Sequence, residues 1–221
     1  MAKDKDSKKA KAAKKANKKD KQARKALKAS KKPGKTTILT AAETGPSFRD
    51  RQRALKNAYK EEPNQCHQCS VVHSITPADA EPGKVRIAID NPAGVELDVG
   101  AHVSVGGIDD VGCSGDFFLA SLAGCYEITL RLVAAAYRLT INRLDLRVEG
   151  DWDARGTLGV DPDIPVGYTA IRILVDLDID GPEDRIAKLA EATEQYCVVS
   201  QTLKNPPKVD ISVKRAELQP A

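Results

Sequence analysis

The 221-residue sequence is poor in aromatic residues, which make up 4% of it, and it contains one Trp, one Met and three His. A His general base or a Ser-His-Asp triad therefore has little material to use. No apolar run reaches 18 residues, so the sequence predicts no membrane span. The Lys-rich N-terminal stretch is not followed by the apolar segment of a secretory signal. The Gly-rich connection at 104–116 contains neither GxGxxG nor GK[ST], so it does not indicate a phosphate-binding loop.

Cysteine is scarce and its count is odd. The five cysteines are Cys66, Cys69, Cys113, Cys125 and Cys197. An odd number without an export signal predicts a cytoplasmic protein, because the cytoplasm keeps thiols reduced. In that compartment cysteines are more often catalytic, metal-binding or inert than paired in structural disulfides.

Charge is distributed unevenly along the chain. Residues 1–36 contain 15 Lys, one Arg and three Asp, a net charge of +13, whereas the rest holds 19 basic and 28 acidic residues, a net charge of −9. The basic tail has almost no large apolar side chain, so burial cannot offset its conformational entropy and we expect disorder. Its role is open between a solubilising tail, loose binding to nucleic acid or another polyanion, and contact with anionic lipid headgroups.

Composition and pattern divide the chain into three parts. After the tail, residues 37–83 form a helix and a Cys-containing linker, with the helix at 47–63 and a loop at 64–83. Residues 84–221 form the main domain. Ser47 can cap the linker helix at its start, and Pro63 ends that helix.

The main domain alternates between two kinds of pattern. A long segment at 115–139, capped by Ser114, is apolar on most sides and predicts a central buried helix. A second helix follows Gly181-Pro182 and ends before the Pro pair at 206–207. Alternating apolar and polar residues predict strands at 84–90, 95–99, 141–152, 168–180 and 208–214. The order β-β-α-β-β-α-β predicts an α+β fold in which helices cover one face of an antiparallel sheet.

Two cysteines lie on the predicted apolar stripes of these helices. Cys125 is in the middle of the first helix and Cys197 is on the stripe of the second. If the helices pack together, the two thiols can come within disulfide reach, which needs Cα atoms about 4.4–6.8 Å apart. The residues alone leave two interpretations open, namely two small buried apolar side chains or a redox pair.

The remaining cysteines give weaker signals. The cluster of Cys66, His67, Cys69 and His73 can be part of a zinc site, a local disulfide or an ordinary loop, and without a second half it predicts no metal centre. Cys113 lies near the start of the long helix, where a third redox role competes with a small residue in a tight turn. It is about 18 Å from Cys125 along a helix, which is too far for direct pairing.

Three segments together resemble one known family. Residues 106–151, including "ASLAGCYEIT", resemble the first-cysteine region of the OsmC/Ohr family, the osmotically inducible protein C and organic hydroperoxide resistance proteins. Residues 155–179 are similar to that family's mid-chain loop and strand, and residues 189–213 to its second-cysteine helix and final strand. The resemblance covers about 84–214, with both cysteine motifs in the family's order.

This resemblance implies a fold and an activity. The family has antiparallel sheets packed around two central helices and forms intertwined homodimers with sites at the subunit interface. Its members are thiol-dependent peroxidases that act on organic hydroperoxides in oxidative or osmotic stress defence. By this resemblance Cys125 is the peroxidatic residue, Cys197 resolves its sulfenic acid as a disulfide, and a dithiol or lipoyl-type reductant resets the pair. No cofactor or metal is implied.

The sequence departs from the family pattern where the thiol is activated. Ser114-Gly115 stands where the studied peroxidases have Pro-Glu, and the nearest acid is Asp116. Arg86 is the only strand candidate for the family's activating Arg, and Val198 replaces a Pro after the second cysteine. These changes favour an alternative, a non-catalytic small-molecule binding protein of OsmC fold whose basic tail contacts nucleic acid or another polyanion.

Overall fold

A computed structural model of the chain describes residues 46–215. The predicted disordered tail, residues 1–36, lies outside the described residues. The chain divides into two compact units between Gln68 and Cys69.

The first unit contains the predicted linker helix. Helix α1 spans Phe48–Glu61 and is followed by a 3-10 turn at Pro63–Cys66. The side chain of Ser47 accepts the backbone N–H of Asp50 at 3.2 Å, which satisfies one of the free donors at the helix start. The predicted helix and its cap are therefore confirmed.

The second unit begins with a three-stranded antiparallel sheet. Its strands are β1 (Val72–Ser74), β2 (Lys84–Ile89) and β3 (Glu96–Gly100), with β2 in the centre. Strands β2 and β3 were predicted, but β1 lies in the predicted loop at 64–83, so that part of the prediction was wrong. Three residues are too few to show the alternation that identifies a strand from sequence.

The long helix α2 spans Ser114–Tyr137. Its N-cap is Cys113 and not the predicted Ser114. The backbone N–H of Asp116 donates to the Cys113 sulfur at 3.4 Å, and the Cys113 N–H donates to the Asp116 carboxylate at 3.1 Å. A thiol thus takes the place of the usual hydroxyl in a capping box. Arg138, with φ 59°, ends the helix in the left-handed region.

Strand β4 (Thr140–Asp151) pairs with strand β5 (Ala170–Asp180) along its full length in antiparallel register. The short helix α3 (Ala154–Thr157) lies in the connection between them. In β5 every second residue is partly buried. Opposite charges on the solvent face pair across the strands, for example Arg143 with Asp176 at 2.8 Å.

The core lies between this second sheet and the helices. Helix α4 spans Glu183–Tyr196 and packs against α2, and the short helix α5 (Val198–Lys204) follows it. The buried residues of the core come mainly from α2 and α4: Leu130, Val133, Ala134, Leu139, Leu189 and Ala192. Partly buried side chains of β4 and β5 pack against them. The predicted α+β class with antiparallel sheets is confirmed.

The sequence predicted that α2 is a central, buried helix. The helix is central, but it is not buried on all sides. One face carries its buried residues, whereas Ile128 is 60% exposed. By length and composition alone this helix could cross a membrane, a test that the core helix of a soluble protein also passes. Here its buried face forms the core with α4 and the second sheet.

The predicted last strand at 208–214 is not a strand in the described part of the chain. The alternation that predicted it is present, but the side chains of Val209, Ile211 and Val213 are 76%, 86% and 91% exposed. A strand needs a neighbouring strand for its backbone hydrogen bonds. The segment 208–214 has none within one copy of the described chain.

Candidate functional site

The two cysteines of the predicted redox pair come from different elements. Cys125 lies in the middle of α2. Cys197 was predicted to lie within the second helix, but α4 ends at Tyr196, and Cys197 has an extended backbone (φ −78°, ψ 106°) between α4 and α5. This break turns the chain so that α5 also packs against α2.

The structure brings the two thiols into contact. The Cys197 sulfur lies 3.4 Å from the Cys125 sulfur, and both cysteines are free thiols. A disulfide bond needs about 2.05 Å between sulfurs, so the two atoms must approach by roughly 1.4 Å for the bond to close.

The two thiols differ in how deeply they are buried. Cys197 is fully buried, with 0% of its surface exposed, whereas Cys125 is only partly buried. A small molecule from solution therefore reaches Cys125 first. Cys197 is placed to react with whatever forms on the Cys125 sulfur.

The surroundings keep Cys197 protonated. Burial raises the pKa of its thiol, and the neighbouring Cys125 raises it further. The backbone N–H groups of Ser200 and Val199, at the start of α5, act in the opposite direction. Cys197 is thus a neutral thiol at physiological pH.

A cleft of about 630 Å³ lies between α2, β5 and the α4–α5 region, and neither Cys125 nor Cys197 is among its lining residues. Leu122 and Tyr126, which flank Cys125 in α2, form one wall. Glu194 and Lys204 form an ion pair at its polar end. Burial raises the pKa of Tyr126, and the negative charge of Glu194 adds to this. The sequence did not predict a role for these residues, because no motif links α2 with the α4–α5 junction.

The two candidate activating residues lie elsewhere. Arg86, on β2, donates to the Asp98 carboxylate at 2.7 and 3.1 Å, and this pairing lowers the pKa of Asp98. Asp116 belongs to the capping box of α2, nine residues before Cys125 and hence about 13 Å along the helix axis. Within residues 46–215, no Lys or Arg side chain is bonded to either sulfur of the thiol pair.

The linker cysteines do not form a cluster with their neighbours. The Cys66 thiol donates to the Pro63 carbonyl at 2.7 Å, and both Cys66 and Cys69 are exposed. His73 lies in strand β1. Among the described residues there is no group of three or more His, Cys, Asp or Glu side chains that could hold a metal ion.

Solved structures of similar fold come from bacteria. An OsmC-like protein of unknown function from Vibrio cholerae has a TM-score of 0.50 and 12% sequence identity, with 62% of this chain and 94% of that chain covered. An OsmC-like protein from Mycoplasma pneumoniae has a TM-score of 0.49 and 18% sequence identity, with 63% of this chain and 89% of that chain covered. An organic hydroperoxide resistance protein OsmC from Legionella pneumophila has a TM-score of 0.43 and 15% sequence identity, with 62% of this chain and 90% of that chain covered.

The sequence comparisons differ in outcome. No curated protein matches the chain. The family model described as OsmC-like protein matches residues 112–212, a range that includes α2, the second sheet and both thiols of the pair. The part of the chain that holds the thiol pair is thus similar to OsmC-like proteins by the family model, and the fold is similar to that of the Vibrio cholerae protein.

Proposed function

We propose that this protein is a thiol-dependent peroxidase that reduces organic hydroperoxides. The observation that supports this most directly is the 3.4 Å contact between the sulfurs of Cys125 and Cys197 inside the part of the chain that matches the OsmC-like family model. The burial difference between the two thiols supports a first step at Cys125 and a second step at Cys197.

In the first step the Cys125 thiolate attacks the terminal oxygen of the hydroperoxide. A sulfur–oxygen bond forms and the oxygen–oxygen bond breaks. The sulfur is oxidised to a sulfenic acid, and the alkoxide leaves as an alcohol after taking a proton. Cys125 lies in α2 and is only partly buried, which supports it over the fully buried Cys197 as the group that meets the substrate.

In the second step the Cys197 sulfur attacks the Cys125 sulfenic acid. A disulfide forms and water leaves, which uses the proton of the Cys197 thiol. An external dithiol, such as a lipoyl group, then exchanges with the disulfide and is itself oxidised. The 3.4 Å separation means that this step needs only a small local movement.

Part of the cleft lining supports an organic substrate. Leu122, Ile171 and Ile173 form an apolar part of the cleft, which would suit an alkyl or aromatic group, whereas Glu191, Glu194 and Lys204 make the rest of the lining polar. The hydroperoxide end would lie toward Cys125.

The proposal includes a homodimer, because one copy leaves the site incomplete. The exposed Ile128 lies one turn after Cys125 on α2, and Val209, Ile211 and Val213 form an exposed apolar edge. A second copy would cover these side chains. It would also bring a cation to the Cys125 thiolate, and Arg86 is our candidate for that group.

A non-catalytic binding protein is the second candidate. It is favoured by one observation, the lack of any Lys or Arg side chain bonded to the two sulfurs in the described part of the chain. Such a protein would use the cleft between α2, β5 and the α4–α5 region without turnover.

The reaction of the reduced protein with cumene hydroperoxide distinguishes the two. We expect loss of two thiols per chain and a Cys125–Cys197 peptide link in the mass spectrum, with turnover when dihydrolipoamide is added. Cys113→Ser is the matched control and should react like the parent. An unchanged thiol count with no such link would refute the peroxidase proposal and leave the binding protein.

A further inference from the structure

A second cavity, of about 410 Å³, lies at the N-terminal end of α2. It is bounded by the N-terminal turn of α2, the segment at 101–105, the end of β4 and the loop before β5. Cys113, on its wall, is twelve residues before Cys125 and thus about 18 Å away along the helix axis. The cavity is therefore separate from the thiol pair.

Aromatic side chains give this cavity flat walls. Trp152, the only Trp of the chain, meets His102 edge to face with ring centres 5.3 Å apart. Tyr168 stacks on Phe118 with ring centres 5.7 Å apart and planes 15° from parallel. A chain with few aromatic residues thus places Trp152 and Tyr168 on the same cavity.

Two glycines make room for the Tyr168 ring. A β-carbon on Gly115 would lie 2.5 Å from the Tyr168 hydroxyl oxygen, and one on Gly150 would lie 2.5 Å from a ring carbon of Tyr168. Any other residue at either position would displace the ring. The same point beside Gly115 is 3.5 Å from the Cys113 sulfur, so the Tyr168 hydroxyl and the Cys113 thiol lie close together.

The Cys113 thiol and the Tyr168 hydroxyl both belong to residues that line this end of the cavity. The Cys113 sulfur accepts the backbone N–H of Asp116, which holds the sulfur at the start of α2. Burial raises the pKa of Tyr168, with smaller effects from Cys113 and Asp116. The tyrosine therefore keeps its proton and can donate it.

We propose that this cavity binds a small planar α,β-unsaturated carbonyl compound of the quinone type and that Cys113 adds to it covalently. Flat aromatic walls suit a planar ring, and the Tyr168 hydroxyl is placed beside the attacking sulfur to donate to a carbonyl oxygen.

The addition balances without an external oxidant or reductant. The Cys113 thiolate forms a carbon–sulfur bond to the β-carbon, and the carbon–carbon π bond breaks. Its electrons move to the carbonyl oxygen, which takes the proton of the Tyr168 hydroxyl. The proton that Cys113 released on forming the thiolate returns to the tyrosine through solvent. The product is a thioether adduct.

The test is site-resolved labelling of the full chain with 1,4-benzoquinone. The chain carries Cys125→Ser and Cys197→Ser, so that oxidation of the thiol pair does not consume the quinone. We expect Cys113 to form its adduct at least about a hundredfold faster than the exposed Cys66 and Cys69, the low end of what a positioned proton donor contributes. With iodoacetamide, which has no conjugated carbonyl, this preference should vanish. Equal or slower benzoquinone labelling of Cys113 would overturn the proposal.

Two variants separate the cavity from the thiol itself. Tyr168→Phe keeps the stacked ring and should slow the quinone reaction of Cys113 while leaving its iodoacetamide rate unchanged. Val105→Trp fills the cavity and should slow both reactions at Cys113 but not at Cys66. Labelling in urea, which unfolds the chain, gives the rate of each cysteine when all of them are equally exposed. A variant whose rates without urea differ from these rates is folded. Quinone rates unchanged in both folded variants would also overturn the proposal.

Discussion

The sulfur of Cys197 lies 3.4 Å from that of Cys125, although the two residues are 72 positions apart in the chain. The contact depends on a break in the second helix, because Cys197 sits between α4 and α5 and not within either. It also depends on packing of α5 against α2. The result is an asymmetric pair, in which Cys125 is partly buried and Cys197 is fully buried.

This asymmetry predicts different defects for the two serine variants. Cys125→Ser should abolish reaction with cumene hydroperoxide. Cys197→Ser should consume one hydroperoxide per chain and then stop, because the sulfenic acid on Cys125 has no partner thiol. Trapping with dimedone followed by mass spectrometry measures that sulfenic acid. Sustained turnover by Cys197→Ser with dihydrolipoamide would contradict the assigned roles.

The raised pKa of Cys197 predicts a pH effect on the stability of the reduced protein. The folded state holds this proton more tightly than the unfolded state, in which a thiol has its usual pKa of about 9.0. Stability from this group is therefore complete below pH 9 and is lost as the pH rises through the raised value. Urea unfolding under reducing conditions should show a larger fall between pH 8 and about pH 10.5 in the parent than in Cys197→Ser. Parallel curves would contradict the prediction.

The glycines beside Tyr168 predict a contrast between positions of the same helix. Gly115→Ala places a β-carbon 2.5 Å from the Tyr168 hydroxyl oxygen and should destabilise the fold by about 1–3 kcal/mol, the usual cost of overpacking. Gly124→Ala is the matched control, since its β-carbon meets nothing within 4 Å. It should stabilise the chain by about 0.5–1 kcal/mol through helix propensity. Urea denaturation measures both, and equal effects would refute the role of the Tyr168 slot.

Periodicity predicted the elements that carry a clear pattern. The strands at β4 and β5 and the long helix α2 follow directly from alternation and from a continuous apolar segment. Glu127 and Arg131, which are four residues apart on α2, form an ion pair at 2.7 Å, as helical spacing favours. Such patterns are local, so one sequence is enough to read them.

The parts that sequence reasoning missed depend on contacts between distant residues. Nothing in the sequence marks Cys113 as the helix cap in place of Ser114, since hydroxyls are the usual caps. The break at Cys197 has no Gly or Pro next to it, and packing of α5 decides it. Tyr126, Glu194 and Lys204 meet only because α2 and the α4–α5 junction are adjacent.

The segment at 208–214 yields a prediction about assembly. Its apolar side chains are exposed in one copy, and a strand-like alternation without a neighbouring strand suits pairing with a second copy. Ile211→Lys should therefore give a monomer, measured by size-exclusion chromatography with light scattering, and should lower peroxide turnover if the partner completes the site.

Ser212→Lys is the matched control for that variant. It adds the same charge one residue later, on the opposite side of an extended segment, where alternation predicts a solvent-facing position. We expect it to remain a dimer with the parent's turnover. A monomeric parent would refute the dimer itself, whereas a dimeric Ile211→Lys would show that this segment is not its interface. A monomeric Ile211→Lys with full turnover would instead place the complete peroxidase site within one copy of the chain.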